Sequence, residues 1–262
     1  MPNLADLQQD KFVKILYIGD SGTGKTGSLV SLVAAGYRLH ILDLDKGLDS
    51  LVSFIRRECP DKLKNVDYET LRDPYKVVGN QVMIAGAPKA FTGSLTLMTK
   101  WSDGTNPAEW GPQNIFVLDS LSALGRAAFE WAKGMNPTTK DPRQWYGTAQ
   151  KAVEDTISVL TSDAFRTNVI VISHVNMQEL PDGTVKGFAN SIGKAQGAVL
   201  PRYFNTLLLA ETMGSGAAVR RTIKTVPTGT IDLKNPAPFT VDKELPLGTG
   251  LATIFEKLKE NI

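Results

Sequence analysis

The chain has 262 residues, 42% of them hydrophobic and 21% charged, and its formal net charge is +2. This length can bury one large core, and so balanced a charge limits any DNA-binding surface to a local patch. A single cysteine, Cys59, excludes an internal disulfide framework, and two histidines argue against a histidine-rich metal site. The polar start and the lack of a long apolar run predict neither a signal peptide nor a membrane helix, so we expect a cytoplasmic protein.

Short apolar runs alternate with helical patterns along the chain. The runs predict strands at residues 12–18, 38–44, 66–71, 114–118 and 168–172, with late antiparallel strands at 206–210 and 219–226. Helical spacing predicts helices at residues 26–35, 48–58, about 89–100 and 144–160. A further helical pattern follows the strand at 114–118 and continues through residue 131, and residues 244–261 are expected to form a turn and then a helix. Residues 134–143 and 177–198 are expected to be loops, and 73–112 are the least regular stretch.

This alternation predicts an α/β fold with a mostly parallel central sheet, helices on both faces and late antiparallel strands. We find no repeat and no domain boundary, so residues 1–262 are expected to form one domain. His40, among apolar residues in the middle of a predicted strand, is expected in the core. In such sheets ligands bind beyond the carboxyl ends of the strands.

Residues 19–26 read GDSGTGKT and fit the pattern G-x-x-x-x-G-K-[ST] between a predicted strand and a predicted helix. Glycines let backbone N–H groups curl around phosphates, and the helix turns its positive end toward the anion. Lys25 would reach the β- and γ-phosphates, and the Thr26 hydroxyl would bind Mg²⁺. The alternative is an ordinary glycine-rich turn. The predicted nucleotide-binding residues are Gly19, Asp20, Ser21, Gly22, Thr23, Gly24, Lys25, Thr26 and Gly27.

A phosphate loop needs carboxylates on the same rim of the sheet. Asp119 follows the apolar run NIFVL and is the candidate for the Mg²⁺ shell, with a helix-capping aspartate as the alternative. In ILDLDKGLD, alternation places Asp43 and Asp45 on one side, with Asp45 further out. We therefore favour Asp45 for orienting the attacking water, while Asp43 and Asp49 suit a strand end and a helix cap.

These segments together resemble a RecA-type core ATPase. The segments are the phosphate loop, ILDLDKGLDS, NIFVLDSLSAL, NVIVISHVN and residues 207–226, and the similarity covers most of residues 12–226, leaving 227–262 as an extension. The chain is most similar to phage-encoded, single-domain RecA-like ATPases of recombination and single-strand annealing. The resemblance implies ATP and Mg²⁺ as cofactors, single-stranded DNA as partner, and a homo-oligomer, with a single-strand DNA-binding protein as a further partner.

The resemblance also assigns roles to individual residues. His174 stands at the γ-phosphate sensor, where an amide side chain is usual, and Asp45 stands where RecA proteins usually have Glu. Cations on the late strand would reach the ATP of a neighbouring subunit. Lys224 is the first candidate for this role in trans and Arg221 the second, and the two lie on opposite faces of that strand.

Two long segments on the same rim are candidate DNA loops because they mix cations with aromatic residues. The better candidate is residues 176–200, with Lys186, Phe188 and Lys194. In the other, residues 125–146, the aromatic residues suit a core or an interface better. That segment holds Arg126, Trp131, Lys133, Lys140, Arg143, Trp145 and Tyr146.

Three other functions compete with a DNA-dependent ATPase. A recombination mediator that binds nucleotide with little turnover would share the phosphate loop, and the short carboxylate of Asp45 is compatible with it. A small-molecule kinase needs an arginine-rich lid, but residues 73–112 contain no arginine. A GTP switch lacks support because the chain has neither N-K-x-D nor D-x-x-G.

Overall fold

The structure, a computed structural model, describes residues 12–139 and 141–260. Its strands are β1 Lys14–Gly19, β2 Arg38–Asp43, β3 Val66–Thr70, β4 Tyr75–Val78, β5 Gln81–Ile84, β6 Gly111–Asp119, β7 Thr167–Ser173, β8 Val175–Glu179, β9 Val185–Ala189, β10 Thr206–Met213, β11 Arg220–Lys224 and β12 Glu244–Pro246. Its α-helices are α1 Lys25–Ser28, α2 Val30–Ala34, α3 Asp49–Glu58, α4 Ala90–Thr99, α5 Leu121–Met135, α6 Pro142–Thr161, α7 Gly193–Val199 and α8 Leu247–Glu260. Short 3₁₀ turns lie at Pro60–Asn65, Pro107–Glu109, Leu200–Tyr203 and Gly216–Ala218.

One eight-stranded sheet organises the chain, in the order β12-β11-β10-β1-β7-β6-β2-β3. The six strands from β10 to β3 run parallel, whereas β11 and β12 are antiparallel to their neighbours. Helices cover both faces, so the predicted fold class is confirmed. Strand β12 and helix α8 come from residues 227–262 and join this same sheet and core.

The late strands β10 and β11 are antiparallel to each other, as predicted, with Leu209 opposite Lys224. Strand β10 runs parallel to β1, with Ile15 opposite Thr206. Helix α7, most of which lies within the predicted loop at residues 177–198, and the 3₁₀ turn after it bring the chain to β10. Two parallel neighbouring strands require a crossover of this kind between them. Because the sequence did not predict helix α7, it did not reveal this crossover.

The prediction that residues 177–198 form a loop is wrong, because β8 and β9 form an antiparallel hairpin that α7 follows. A second hairpin, β4 with β5, lies within the stretch judged least regular. The loop expected at residues 134–143 is shorter than predicted, because α5 continues to Met135 and α6 begins at Pro142. Both hairpins stand outside the main sheet, so their strands lack the apolar runs that identify buried strands.

Two buried apolar clusters flank the sheet, one on each face. In β1, Leu16 and Ile18 pack with α5 and α6, while Ile15 and Tyr17 pack with α2, α3 and α8. His40 is buried on β2 as predicted, and its ring stacks on Trp110 with centroids 3.7 Å apart. In the described part of the chain, no helix combines the length and apolarity needed to cross a membrane.

Candidate nucleotide site

The phosphate loop joins buried strand β1 to helix α1. Gly22 and Gly24 have φ of 80° and 91°, a left-handed backbone that glycine adopts without steric cost. A Cβ on Gly24 would also lie 2.7 Å from Cδ2 of Leu247, the first residue of α8. The loop therefore needs glycine at position 24 for its own curvature and for the close approach of α8.

Lys25 is held inside the loop by backbone carbonyls. Its Nζ donates to the oxygens of Gly19, at 2.7 Å, and of Asp20, at 2.8 Å. Burial lowers the pKa of Lys25, and the negative charges of Asp119, Asp20 and Asp45 oppose that shift. The ammonium group is thus positioned at the centre of the loop, where a phosphate would offer it a stronger acceptor.

Thr26 and Asp119 meet at the end of β6. The Thr26 hydroxyl donates to Oδ2 of Asp119 at 2.7 Å. Burial raises the pKa of Asp119 to about 6. The hydrogen bond from Thr26 lowers this pKa in part, and the negative charges of Asp45 and Asp43 raise it further. Ser120, not Asp119, caps α5, because its Oγ accepts from the N–H of Ala123. The helix-capping alternative for Asp119 therefore does not describe this structure.

This oxygen pair suits Mg²⁺. Magnesium takes one or two protein oxygens and fills its remaining positions with water and phosphate. Among residues 12–139 and 141–260, no cluster of three or more His, Cys, Asp or Glu could hold a metal by itself. Thr26 and Asp119 thus offer the small ligand set expected when a phosphate shares the ion.

Asp45 and His174 face each other across the site. Oδ2 of Asp45 lies 3.9 Å from Nε2 of His174, and both side chains are a little more than one-third exposed. Burial lowers the pKa of His174, with the nearby Lys25 charge adding and Asp45 opposing. The imidazole is therefore neutral at pH 7 and able to hydrogen-bond an oxygen-bearing ligand.

Asp43 is structural, as its place at a strand end suggested. It is buried, and its carboxylate accepts from the N–H groups of Lys46 and Gly47 and from the hydroxyl of Thr70. These bonds hold the turn that carries Asp45. Asp49 is the first residue of α3 rather than its cap.

One cleft of about 610 Å³ brings most of the predicted residues together. Its lining includes Ser21, Gly22, Gly24, Lys25, Thr26, Gly27, Asp45, Asp119 and His174. Gly19, Asp20 and Thr23 are not among the lining residues but hold the loop together. The carbonyl oxygens of Gly19 and Asp20 accept hydrogen bonds from Lys25, and the Thr23 hydroxyl donates to the carbonyl oxygen of Asp20. Sequence reasoning missed Gly47, Ser50, Phe54, Ile172 and Leu247, and no motif marks them; Arg221, predicted only for another subunit, also lines this cleft.

The cations of β11 separate by face. Lys224, on the opposite face from Arg221, forms an ion pair with Glu211 at 2.5 Å and does not line the cleft. Arg220 pairs with Glu244 at 3.1 Å.

The candidate DNA residues lie on the β8–β9 hairpin and α7. Lys186 Nζ lies 3.0 Å from Oδ2 of Asp232, Phe188 is half-buried on β9, and Lys194 is exposed on α7. The hairpin starts at Val175, directly after His174. Its end is anchored at the same place, because the hydroxyls of Ser122 and Ser173 donate to the carbonyl oxygen of Asn190.

The other candidate DNA segment is mostly helical. The Trp131 ring packs on Phe91, the Tyr146 ring packs on Phe129, and the Trp145 indole donates to the carbonyl of Asn136. Its aromatic residues are thus engaged within the chain, as predicted. Arg126 lies over the ring of Tyr75. Lys140 lies outside the described residues.

Comparison with known proteins gives a family and two structural likenesses. A KaiC-like protein from the hyperthermophilic archaeon Pyrococcus horikoshii OT3 is 11% identical with a TM-score of 0.41, over 81% of this chain and 78% of that chain. The RadB recombinase is 15% identical with a TM-score of 0.45, over 81% and 79%. No curated protein matches the sequence. Residues 11–237 match the AAA domain family. This range includes the phosphate loop and the whole parallel part of the sheet, and the chain therefore belongs to that family.

Proposed function

We propose that this protein is a RecA-like ATPase that binds and hydrolyses ATP while acting on single-stranded DNA in phage-type recombination or annealing. The observation that carries the proposal is the shared cleft, in which Lys25, Thr26, Asp119, Asp45 and His174 surround one space. A lysine in a phosphate loop, a magnesium-type oxygen pair and a carboxylate at the rim are the parts that phosphoryl transfer to water requires.

Each residue has a distinct task in this proposal. Lys25 neutralises the β- and γ-phosphates, and Thr26 with Asp119 would hold Mg²⁺, which neutralises charge on the phosphates when bound. Asp45 orients the attacking water, and neutral His174 hydrogen-bonds the γ-phosphate. The proposed response of the hairpin to the nucleotide is supported by the start of β8 directly after His174.

The proposed partners rest on the resemblance to RecA-type ATPases and on cations outside the cleft. Single-stranded DNA would lie along the hairpin and α7, where Lys186 and Lys194 contact phosphates and Phe188 stacks on a base. The proposed active form is a homo-oligomer in which Lys224 reaches the neighbouring nucleotide. A single-strand DNA-binding protein and the host cytoplasm complete the proposed setting.

The test is ATP hydrolysis with and without single-stranded DNA, measured beside nucleotide binding, for the wild type, Lys25→Ala and Asp45→Asn. We expect DNA-stimulated turnover in the wild type. Lys25→Ala should lose both binding and turnover, whereas Asp45→Asn should lose turnover by about a hundredfold or more and keep its affinity, because Asp45 acts on water.

Three outcomes contradict the proposal. Binding without turnover in the wild type favours a recombination mediator. Turnover that ignores DNA but rises with a nucleoside monophosphate favours a kinase. Unchanged turnover in Asp45→Asn moves water activation to another residue.

A further inference from the structure

We propose that Arg221 binds the α- and β-phosphates of the nucleotide held by its own subunit; this rests on the proposed nucleotide site. Arg221 stands on β11, nearly two hundred residues beyond the phosphate loop, yet it lines the same cleft as Lys25 and Thr26. Its Cδ lies 3.6 Å from the position that a Cβ on Gly24 would occupy. Backbone N–H groups at this part of a phosphate loop surround the α- and β-phosphates.

The sheet explains how this side chain reaches the loop. Strand β10 runs parallel to β1, so it ends on the same rim as the phosphate loop, and antiparallel β11 begins there. Alternation places Arg221 on the face of Ile223, which packs in the cluster with Leu245, Leu251 and Phe255. That face carries α1 and α8, and the Arg221 side chain therefore lies beside the start of α1.

Charge pairing distinguishes Arg221 from the other two cations on β11. Arg220 is paired with Glu244, and Lys224 is paired with Glu211. Across the residues the structure describes, Arg221 forms no ion pair or hydrogen bond, and its side chain is exposed to the cleft. A guanidinium that is always charged and unpaired is suited to bidentate contact with phosphate oxygens.

The position argues for action within one subunit. Arg221 already lines the cleft of its own chain, so no neighbour has to approach for it to contact a ligand there. Because it lies beside the part of the loop that surrounds the α- and β-phosphates, its contribution should be equal for ADP and ATP.

The experiment titrates fluorescent N-methylanthraniloyl-ADP and the matching ATP analogue into the wild type, Arg221→Ala, Arg221→Gln and Arg220→Ala. A charged hydrogen bond of this kind makes the two Arg221 variants weaker by about tenfold or more for both nucleotides. Arg220→Ala, on the other face of the same strand, should bind like the wild type. Thermal unfolding of each variant checks that the strand is intact.

A mixing experiment separates the two geometries. Excess Lys25→Ala protein, which keeps its Arg221, is added to Arg221→Ala; if Arg221 acts within its own subunit, the affinity does not recover. Recovery would overturn the inference in favour of action in trans. Wild-type affinity in both Arg221 variants would overturn it while leaving the proposed function intact, whereas a wild type that binds no nucleotide would overturn the proposed function itself.

Discussion

At the scale of single residues, the candidate site depends on a buried carboxylate. Asp119 is almost wholly buried, and only the Thr26 hydroxyl among its described partners donates a hydrogen bond to its side chain. Keeping such a group ionised is costly unless a cation arrives. The fold thus tolerates a local cost that a bound Mg²⁺ would remove, and this cost is measurable without any ligand.

We expect Asp119→Asn to stabilise the unliganded protein at neutral pH. Since the pKa of Asp119 is raised from 3.8 to about 6, the folded state keeps a proton that the unfolded chain loses, and stability falls as pH rises between these values. The full cost above this window is about 3 kcal/mol. Urea unfolding without Mg²⁺ or nucleotide should therefore show equal stability near pH 4 and a more stable variant at pH 7.5. A difference that does not change with pH would contradict this assignment.

How far the sequence could reveal the site depends on how local each contact is. The phosphate loop closes over consecutive residues, so its motif identified Lys25 and Thr26 directly, and Asp119 followed from an apolar run that ends in an acid. Arg221 and Leu247 reach the same cleft only through the pairing of β10 with β11 and the packing of α8. No spacing between them and residue 24 encodes that pairing, so the sequence could not place them in this cleft.

At the scale of secondary structure, buried strands and long helices could be predicted, whereas hairpins outside the main sheet could not. Strands β6 and β7 are apolar runs because helices cover both of their faces. Strands β8 and β9 form a separate two-stranded sheet, in which β8 has only exposed and half-buried residues and β9 buries only Gly187 and Ala189, among the glycines and polar residues typical of loops. The hairpin gives Lys186 and Phe188 fixed positions that a loop would not.

We expect Lys186→Ala combined with Lys194→Ala to weaken binding of single-stranded DNA. Each lysine that contacts a phosphate contributes about 0.7 to the slope of log affinity against log salt, so the slope should become shallower by about 1.4. Fluorescence anisotropy with a labelled oligonucleotide at several salt concentrations measures this. Lys64→Ala with Lys100→Ala, elsewhere on the surface, is the matched control and should leave the slope unchanged.

The Lys186–Asp232 ion pair adds a test of opposite sign. Phosphate must displace Asp232 from Lys186, so Asp232→Asn should tighten DNA binding. An unchanged salt slope in the double lysine variant, or weaker binding in Asp232→Asn, would remove the hairpin from the DNA site.

At the scale of the whole molecule, the cleft lies where the two ends of the described chain meet. The phosphate loop comes from the amino-terminal part, whereas β11 and α8 close the cleft from the carboxyl-terminal part. Two cations on β11 lie on opposite faces of the strand: Arg221 lines this cleft, whereas Lys224 points away from it and pairs with Glu211. Lys224 can therefore act on a nucleotide only if that nucleotide belongs to another subunit, and this ties its proposed role to assembly.

We expect Lys224→Ala and Lys25→Ala to be inactive alone and to regain turnover when mixed. In a head-to-tail assembly, a Lys224→Ala subunit keeps its phosphate loop and can receive Lys224 from a Lys25→Ala neighbour. Random equal mixing forms such a pair at roughly a quarter of all sites, which sets the expected fraction of wild-type ATP hydrolysis. Arg221→Ala mixed with Lys25→Ala is the matched control and should keep the weaker nucleotide affinity of Arg221→Ala alone, because Arg221 serves its own subunit. If light scattering shows that Lys224→Ala and Lys25→Ala assemble together and turnover still does not return, Lys224 does not act across subunits, and its pair with Glu211 is structural.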